Sequence, residues 1–436
     1  MALSDFTIIK RSLLGRLFST ATTVAMVAVS VGLMLSIFII RDSAWQAFSR
    51  GSGNMHLIVS RDSSPLLAVL NGIFYASPPQ RAIEWSKYEE IRDRYPLEFA
   101  IPIAQGDSYR GFPVLSSRPE FFTQFQPTAG QPWVFNEGRA YESTFEVVIG
   151  ASTARATGLR LGDRINLTHG IDQSRQGRLL ASGGPAGTPH VHDEYDYEVV
   201  GILAPTGGPH DRAVFNTLES SWIIHAHDRR VRDLGPNITT ALSDLTDADR
   251  EISGIYLRVI TREGRQTSGA LQQIFDMLRR DTTIMVASPT DQIQTLFRIV
   301  GNIDTMFIIM AGVVLFSSAI AIMLALYNSM EQRRRQIAVL RVLGCSPQRI
   351  FSIVMTESAL IGLFGVLVGI IVALIGSQLL AGLAHTLLGI VLEPGFALRP
   401  TLGVAVLTVA FACLAGIIPA TIAYRTPVAR HLKPLG

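Results

Sequence analysis

The hydrophobic pattern along the chain is dominated by four long stretches that contain no charged side chain. Each is longer than the roughly 20 residues that a helix needs to cross a hydrocarbon layer of about 30 Å. The pattern therefore predicts four membrane-spanning helices, one near the start of the chain and three near its end. The predicted spans are 17–41, the second part of 289–330, 351–380 and 400–424.

The segment 42–288, between the first and second spans, is polar and long enough to fold around a core of its own. It alternates short β-branched runs with stretches of helical periodicity, a pattern typical of mixed α/β domains. The predicted fold class is a membrane protein with four transmembrane helices and a large mixed α/β extracytoplasmic domain between the first and second. Strands are predicted at 57–59, 146–150, 164–167, 197–203 and 255–260, and helices at 86–95 and 267–280.

Apolar residues at helical spacing also continue outside two of the spans. In 1–16, Leu3, Phe6 and Ile9 recur with charged residues on other faces. This pattern predicts either a cytoplasmic interfacial helix or a simple extension of the first span. After Pro289 a helical pattern runs without a breaker into the second span, so 289–330 is predicted to be a stalk followed by a span.

Basic residues identify the cytoplasmic side, because Lys and Arg in short loops resist translocation. They cluster before the first span, between the second and third, and after the fourth, which all fall on one side. Both chain ends are therefore predicted to be cytoplasmic, with 331–350 and 425–436 on that side and 42–288 and 381–399 on the other. The clusters are Lys10, Arg11 and Arg16; Arg333, Arg334, Arg335, Arg341 and Arg349; and Arg425, Arg430 and Lys433.

Composition agrees with a membrane protein and argues against several other classes. Hydrophobic residues make up 48% of the chain and charged residues only 17%, against roughly 25% charged in soluble domains. A net charge of +3 does not provide the concentrated basic face that nucleic-acid binding needs. Lys10, Lys87 and Lys433 are the only lysines and none follows a glycine, so a Gly-Lys-Ser/Thr phosphate loop is absent. The chain itself is therefore predicted not to be an ATP-hydrolysing enzyme.

The sharpest local signal lies between the second and third spans, in 331–350. An apolar stripe of Ile337, Leu340 and Leu343 runs through a segment rich in arginine, although a solvated loop has no reason to carry one. Gly344 is placed to end a helix, and the Ser-Pro pair after it to begin another. The segment is predicted to be a short cytoplasmic helix and a turn whose stripe a cytoplasmic partner covers. The candidate contact residues are Glu331, Arg334, Arg335, Ile337, Leu340, Arg341, Leu343 and Gly344.

Histidine is crowded into one part of the polar segment, since six of the nine histidines lie between His169 and His227. Two pairs of histidines are separated by one residue. The pair at 190 and 192 would place two imidazoles on one face of a strand, and the pair at 225 and 227 has the same spacing. Imidazole with carboxylate suits zinc, so zinc is a candidate cofactor, and a polar loop that simply uses histidine is the alternative. The HExxH motif of zinc hydrolases is absent. The candidate metal ligands are His190, His192, His210, His225 and His227.

Several motifs resemble the permease subunits of ABC transporters of the MacB, FtsX and LolC/LolE type, the FtsX-like permeases. The most specific is Glu331–Gly344, and similar motifs follow at Glu357–Gly365 and at Pro419-Ala420. The strand motifs Val147–Gly150 and Val199–Leu203 are also similar to the family. The order of one span, a large domain and three spans matches too, so the resemblance covers nearly the whole chain.

The resemblance implies a multi-pass protein of the bacterial cytoplasmic (inner) membrane that works as a permease homodimer or heterodimer bound to two ABC ATPase subunits. ATP and Mg would be held by the ATPase, and the segment after the second span would transmit hydrolysis to the extracytoplasmic domain (mechanotransmission). That domain would then extrude or extract a substrate, with a periplasmic adaptor or binding protein as a further partner. Two departures stand out. MacB proteins carry their ATPase on the same chain, so a separate subunit is expected here, and Gln336 stands where the family usually has Glu.

Two functions from different classes stay open at this level. One is the transporter permease, and the other is a non-transporting FtsX-like regulator or a metal-binding or metal-sensing membrane module. The large domain in 42–288 favours the first, because a minimal regulator needs less. Lipoprotein, lipid, peptide, antibiotic and metal complex are all compatible substrates.

Overall fold

The computed structural model of the 436-residue chain describes residues 5–79, 81–169, 190–191, 194–235, 238–262, 268–342, 344–388, 394–396 and 398–425. The chain divides into two compact units. The first, called here the helical unit, comprises Met1–Ser43, Ile299–Leu383 and Glu393–Gly436. The second, the α/β unit, comprises Ala44–Arg298 and Ala384–Leu392.

The α-helices of the described residues include four that are long and apolar enough to cross a membrane, namely the second, ninth, tenth and eleventh. This confirms the four predicted spans. In chain order the helices are α1 (Asp5–Leu14), α2 (Leu17–Gly51), α3 (Pro65–Phe74), α4 (Trp85–Arg94), α5 (Glu120–Gln124), α6 (Ala151–Thr157), α7 (Leu218–Leu234), α8 (Leu271–Arg279), α9 (Pro289–Val342), α10 (Pro347–Leu388) and α11 (Leu398–Arg425).

The strands all belong to the α/β unit, which confirms its predicted mixed class. They are β1 (Leu57–Ser60), β2 (Ile83–Glu84), β3 (Leu97–Tyr109), β4 (Phe112–Ser117), β5 (Phe135–Gly138), β6 (Glu146–Ile149), β7 (Arg164–Ile165), β8 (Thr168–His169), β9 (His190–Val191), β10 (Tyr197–Leu203), β11 (Val214–Thr217), β12 (Glu251–Ile252), β13 (Gly254–Val259) and β14 (Met285–Ala287).

One large mixed sheet organises the α/β unit. Its strand order is β14-β1-β13-β3-β4-β11-β6-β10-β5, with β7 paired to β10, β8 paired to β3, and β9 paired to β8. The β4–β11 and β6–β10 pairs are parallel, and the neighbouring pairs are antiparallel. Strands β2 and β12 form a separate two-stranded sheet.

Both faces of the large sheet are covered, so its strands alternate between two hydrophobic cores. In β1, Ile58 packs on one side, whereas Leu57 and Val59 pack on the other, as the two-residue repeat of a strand requires. The first core also contains α3 and α5, and the second contains α4, α7 and α8. Burial on both faces explains why these strands appear in the sequence as short continuous apolar runs.

Aromatic rings of α2, α3 and α9 meet inside the α/β unit. The ring centroids of Trp45 and Phe297 are 4.8 Å apart, and Phe48 lies 4.6 Å from Phe74 and 5.8 Å from Phe297. Trp45 and Phe48 belong to the last turns of α2, and Phe297 to the first turns of α9. The ends of two long helices are therefore part of the core of this unit.

The helical unit is packed through small residues. A Cβ at Gly369 would lie 2.7 Å from the Val31 side chain, and one at Gly365 would overlap Val27. A Cβ at Gly362 would lie 2.6 Å from Ala412. These glycines therefore let α10 approach α2 and α11 within one chain, a use of small residues that is common between membrane helices.

Three boundaries differ from the sequence predictions. Helix α2 continues ten residues past the predicted end at 41, and α10 continues to Leu388, into the predicted loop 381–399. The helix predicted after the second span is continuous with that span, because α9 runs without a break to Val342. The sequence between 313 and 342 contains no glycine or proline that could end it. At the start of the chain, a turn at residues 15–16 separates α1 from α2, so α1 is not a simple extension of the first span.

We predict that Gly365→Leu destabilises the helical unit by about 1–3 kcal/mol, the usual cost of forcing a side chain into a packed space. Gly382→Leu in the same helix is the control, because no described atom lies within 4 Å of a Cβ there. Both cysteines, Cys345 and Cys413, belong to the helical unit, so melting of the detergent-purified protein can be followed with a thiol-reactive fluorophore. Equal melting temperatures for the two variants would contradict the packing described for Gly365.

Candidate functional site

The turn between α9 and α10 has the two caps that the sequence predicts. Gly344 has a φ of +93°, a left-handed conformation that favours glycine, and its N–H donates to the Arg341 carbonyl at 3.1 Å. Ser346 Oγ accepts the Arg349 N–H at 3.3 Å, and Pro347 is the first residue of α10. Each helix end therefore has a defined cap, and the chain reverses over a few residues.

The start of α10 is anchored by packing against the end of α11. Ile350 and Val354 are buried with Ala420 and Ala423 in one small cluster. The position of the turn is consequently fixed by packing of α10 against α11 as well as by the chain ends that it joins. Val342, just before it, is 62% exposed.

The predicted contact residues lie on the last turns of α9 and in this turn. Arg341 is half-buried, and Gly344 is the turn glycine. Leu343 falls outside the described residues. The others stand on the helical backbone of α9, with their side chains outside the described set, so the apolar stripe stays a prediction. They are Glu331, Arg334, Arg335, Ile337 and Leu340.

A buried carboxyl group in α10 escaped the sequence analysis as a candidate. Glu357 is only 4% exposed, and its neighbour Ser358 is completely buried. A Cβ at Gly416 would overlap Ser358 Oγ, so α11 approaches α10 closely at this level. Carboxyl groups buried among membrane helices are rare and usually functional. The signal in the sequence was a lone Glu near the start of an otherwise uncharged run.

Of the histidines, His210 is in the core of the α/β unit. Tyr75 Oη lies 2.7 Å from its Nδ1, and the rings of Phe121, Phe125 and Trp133 surround it at centroid distances of 5.5–6.1 Å. Its Nε2 is buried without a hydrogen-bond partner among the described residues. Burial lowers the pKa of His210 from 6.5 to about 3. It is a neutral core residue in the fold.

His225 and His227 lie on α7, so their spacing does not place both imidazoles on one face as it would on a strand. Two residues apart on a helix, side chains point about 200° from each other. His225 Nε2 lies 3.5 Å from Asp107 Oδ1, whereas His227 Nδ1 lies 3.1 Å from Thr240 Oγ1. The two imidazoles therefore have different partners.

The environment of His225 favours its charged form. Burial acts to lower the pKa of this imidazole, but the Asp107 carboxylate, aided by Asp228 and Glu251, raises it by a larger amount. Asp107 is itself 5% exposed and belongs to β3. A carboxylate and an imidazole from distant parts of the sequence thus face each other between the sheet and α7.

His190 lies in β9, as predicted, and pairs with His169 of β8. His192 falls outside the described residues. Among the side chains that the structure describes, which exclude those of His169 and His190, no three His, Cys, Asp or Glu residues are grouped closely enough to hold a metal ion. The predicted five-histidine set is not brought together around His210, which has different neighbours from His225 and His227.

These features define the class of the protein. Four apolar helices and a large mixed α/β domain between the first and second describe a multi-pass membrane protein with one folded domain outside the spans. Residues 20–274 match the MacB-like periplasmic core domain, and residues 308–428 match the FtsX-like permease C-terminal domain. Since the first match alone covers more than half of the chain, the protein belongs to the MacB-like and FtsX-like family of ABC transporter permeases. The resemblance noted in the sequence is confirmed.

Individual relatives are distant. The macrolide export ATP-binding/permease protein MacB of Marinobacter nauticus is 22% identical over 86% of this chain and 53% of its own. The lipoprotein-releasing system transmembrane protein LolC of Neisseria meningitidis is 24% identical over 52% of this chain and 46% of its own. The periplasmic region of MacB from Actinobacillus actinomycetemcomitans, a crystal structure, is aligned over 57% of this chain and 94% of its own, with 9% identity and a TM-score of 0.31. The chain spans about half the length of the curated relatives it matches.

We predict that the α/β unit loses stability as the pH falls from about 6.5 toward 3 because of His210. The unfolded chain takes up a proton near the ordinary pKa of 6.5, whereas the folded state does so only near 3. Within this window, proton uptake by the unfolded chain lowers the free energy of unfolding by about 1.4 kcal/mol for each unit by which the pH falls. His210→Gln removes the titrating group, so its free energy of unfolding should depend less steeply on pH.

Tryptophan fluorescence during denaturant unfolding of the full chain measures this effect. All four tryptophans, Trp45, Trp85, Trp133 and Trp222, belong to the α/β unit. The difference between wild type and His210→Gln, taken between pH 7 and pH 4, isolates His210 from the acidic residues that titrate in the same range. Parallel pH profiles would show that His210 is not buried in its neutral form.

Proposed function

We propose that this chain is a permease subunit of an ABC transporter. In this proposal it couples ATP hydrolysis by an ATPase subunit to movements of the α/β unit, which extrudes or extracts a substrate. The observation that carries the proposal is α9, a single helix of 54 residues that begins two residues after β14 and ends at the capped turn. At 1.5 Å per residue it is about 80 Å long.

Helix length is what makes this coupling physically reasonable. A bilayer core takes about 30 Å of a helix, so α9 has about 50 Å left for segments outside it. A continuous ladder of backbone hydrogen bonds resists compression along its axis, so a displacement at one end reaches the other. Ile293 and Phe297, in the first turns of α9, belong to or pack on the core of the α/β unit, so that end of the helix cannot move independently of the unit.

The capped turn is the proposed docking point of the ATPase. The αL glycine at 344 and the cap at Ser346 give it one conformation, and Ile350 ties it to α11. Ile337, Leu340 and Leu343 would supply the apolar contact, with Glu331, Arg334, Arg335 and Arg341 around it. ATP and Mg would bind to the ATPase subunit.

The distribution of arginine supports a definite orientation. The basic clusters lie around the turn between α9 and α10 and near both chain ends, which supports a cytoplasmic location for these segments and the outer side of an inner membrane for the α/β unit. The membrane part of α9 is unusually exposed, with Met306 at 67%, Ile309 at 60% and Val313 at 59%. A second permease, identical or related, would cover part of this surface, and lipid would cover the rest.

We predict that Leu340→Glu abolishes co-purification with the cognate ABC ATPase. A carboxylate in the centre of an apolar contact would have to be desolvated, which is costly without a partner charge. The measurement is co-expression with the ABC ATPase subunits of the same genome, affinity purification through the permease, and ATP hydrolysis by the complex in nanodiscs.

Leu234→Glu is the matched control for this experiment, because Leu234 is 66% exposed in the α/β unit. It should co-purify and hydrolyse ATP like the wild type. Failure of every ATPase to bind the wild-type chain, or normal binding by Leu340→Glu, would refute the proposed docking point.

We also predict that Val300→Pro uncouples the α/β unit from hydrolysis. Proline removes a backbone hydrogen bond and kinks a helix, and Val300 lies at the point where α9 passes from the α/β unit to the helical unit. Hydrogen–deuterium exchange of the nanodisc complex should show a nucleotide-dependent change in the α/β unit for wild type and Val300→Ala. In Val300→Pro that change should disappear while ATPase binding persists. A preserved change in Val300→Pro would contradict transmission through α9.

A further inference from the structure

A hydrogen bond between two serine side chains joins α2 to α9 inside the helical unit. Ser30 Oγ lies 3.2 Å from Ser318 Oγ, and the two serines are 2% and 0% exposed. Ser30 Oγ is also 2.9 Å from the Met26 carbonyl of its own helix. Ser318 Oγ is likewise 2.8 Å from the Val314 carbonyl. Because a hydroxyl donates one proton, one serine donates to the other while the second donates to its own carbonyl, so both are satisfied away from water.

Ser318 lies at the centre of the narrow face that α9 buries. Within 305–328, where the structure describes every side chain, the buried residues recur at intervals that place them on one side of the helix. Ser318 is the only polar residue among them. They are Ala311, Leu315, Ser318, Ala319, Ile322 and Leu326. A slide of one helical turn, about 5.4 Å, would bring an apolar side chain opposite Ser30. The serine pair therefore marks one axial position of α9 relative to α2.

The two helices are in contact again further along their length. Phe48 of α2 and Phe297 of α9 have ring centroids 5.8 Å apart in the α/β unit. Phe48 is 18 residues after Ser30, and Phe297 is 21 residues before Ser318. These separations correspond to about 27 Å and about 32 Å of helix. Such similar lengths are those of two antiparallel helices that stay side by side from one contact to the other.

The strand that follows α2 and the strand that precedes α9 are also paired with each other. β1 and β14 are antiparallel neighbours, with Ile58 opposite Ala287 and Ser60 opposite Met285. The connection from β14 to α9 is a single residue, Ser288. Sliding of α9 along α2 would therefore pull β14 along β1 and break the hydrogen bonds between them. The strand pairing fixes the relative axial position of the two helices at their outer ends.

The connection from α2 to β1 is held by the end of α5. Asn54 Nδ2 donates to the Gln124 carbonyl at 3.0 Å, and Asn54 Oδ1 accepts the Gln126 N–H at 2.9 Å. Gly53 has a φ of +55°, and a Cβ there would overlap the Gln126 carbonyl oxygen. Because this turn is in direct contact with a neighbouring segment, it provides no slack between α2 and the sheet.

We propose that Ser30 and Ser318 are positioning residues that hold α2 and α9 together as one stiff element. This inference rests on the proposed transport function, because it concerns the helices that carry movement to the α/β unit. Two rods that slide past each other bend almost as easily as one rod, whereas two rods tied at both ends bend as a single thicker beam. The serine pair is the tie within the helical unit, and the β1–β14 pairing is the tie within the α/β unit. Helix α2 therefore moves with α9, and a kink in either helix interrupts transmission.

The register is tested first, on the isolated full-length permease in nanodiscs. In a background whose two native cysteines are replaced by alanine, Ser30→Cys is combined with Ser318→Cys, and oxidation should form a disulfide. The controls combine Ser30→Cys with Val314→Cys or with Ile322→Cys, one turn away along α9. Since a disulfide needs Cβ atoms about 3.5–4.5 Å apart, the serine pair should cross-link at least about 10-fold faster than either control. Equal rates would overturn the assigned register.

The second measurement uses the complex with the ATPase subunit in nanodiscs. With Ser30→Cys and Ser318→Cys joined by the disulfide, the nucleotide-dependent change in hydrogen–deuterium exchange of the α/β unit should equal that of the reduced sample. Helices that do not slide lose nothing when they are cross-linked. A change that the disulfide abolishes and a reducing agent restores would show that α9 slides along α2, and would overturn the proposal. If no ATPase binds the wild type, it is the proposed function that fails, and the cross-linking rates still decide whether the serines tie the two helices.

Removal of the hydroxyls tests the tie without a cross-link. Ser30→Ala and Ser318→Ala should each reduce the nucleotide-dependent change by about 2–3-fold, the effect on an equilibrium of an average hydrogen bond between membrane helices. The double variant should lose no more than a single one, since both substitutions remove the same contact.

Ser317→Ala is the matched control, because Ser317 is exposed on α9 and its hydroxyl donates to the Val313 carbonyl of the same helix at 2.9 Å. It should behave like the wild type. The melting temperature of each variant checks its folding. A change as large as that of Ser317→Ala in both Ser30→Ala and Ser318→Ala would overturn the role of the serine pair.

Discussion

A backbone that crosses a membrane must satisfy its own hydrogen bonds, and this constraint shapes the whole chain. Four helices meet it here, and they extend beyond what the bilayer requires. Helix α2 adds its last turns, and α9 its first turns, to the core of the α/β unit, where Trp45, Phe48 and Phe297 pack together. The requirement that makes helices in the membrane also provides stiff elements that continue out of it. The proposed coupling of hydrolysis to movement rests on that continuity.

The α/β unit is a packed domain in which the ends of these two helices are part of a hydrophobic core. Its large sheet is covered on both faces, so the strands form a rigid layer between two cores. The core that contains the ends of α2 and α9 is rich in aromatic rings, which bury a large area with few rotatable bonds. His210 is accommodated there in its neutral form, beside Tyr75. A displacement delivered by a helix would therefore move a packed body rather than a single loop.

The chemistry of the histidines is decided by topology. Spacing along the chain groups them by sequence distance, but the fold separates His227 and His210 from His225. Strand pairing instead aligns Asp107, His169 and His190, while α7 presents His225 to the same carboxylate. Backbone positions that are far apart in the sequence become neighbours because β8 pairs with β3 and β9 pairs with β8.

The sequence by itself determined the features that depend on local composition and periodicity. These are the four spans, the mixed class of the intervening domain, several strands such as β10, and the caps at Gly344 and Ser346. Each depends on the transfer of apolar side chains out of water or on the backbone preferences of a few residues, and both can be evaluated from a short stretch of sequence. Only the tertiary structure decided how far α2 continues beyond residue 41, which side His225 faces, and which strand lies beside β3. Those outcomes depend on contacts between distant segments, because strand register and helix packing are selected by the burial of a whole surface and not by the residues next in line.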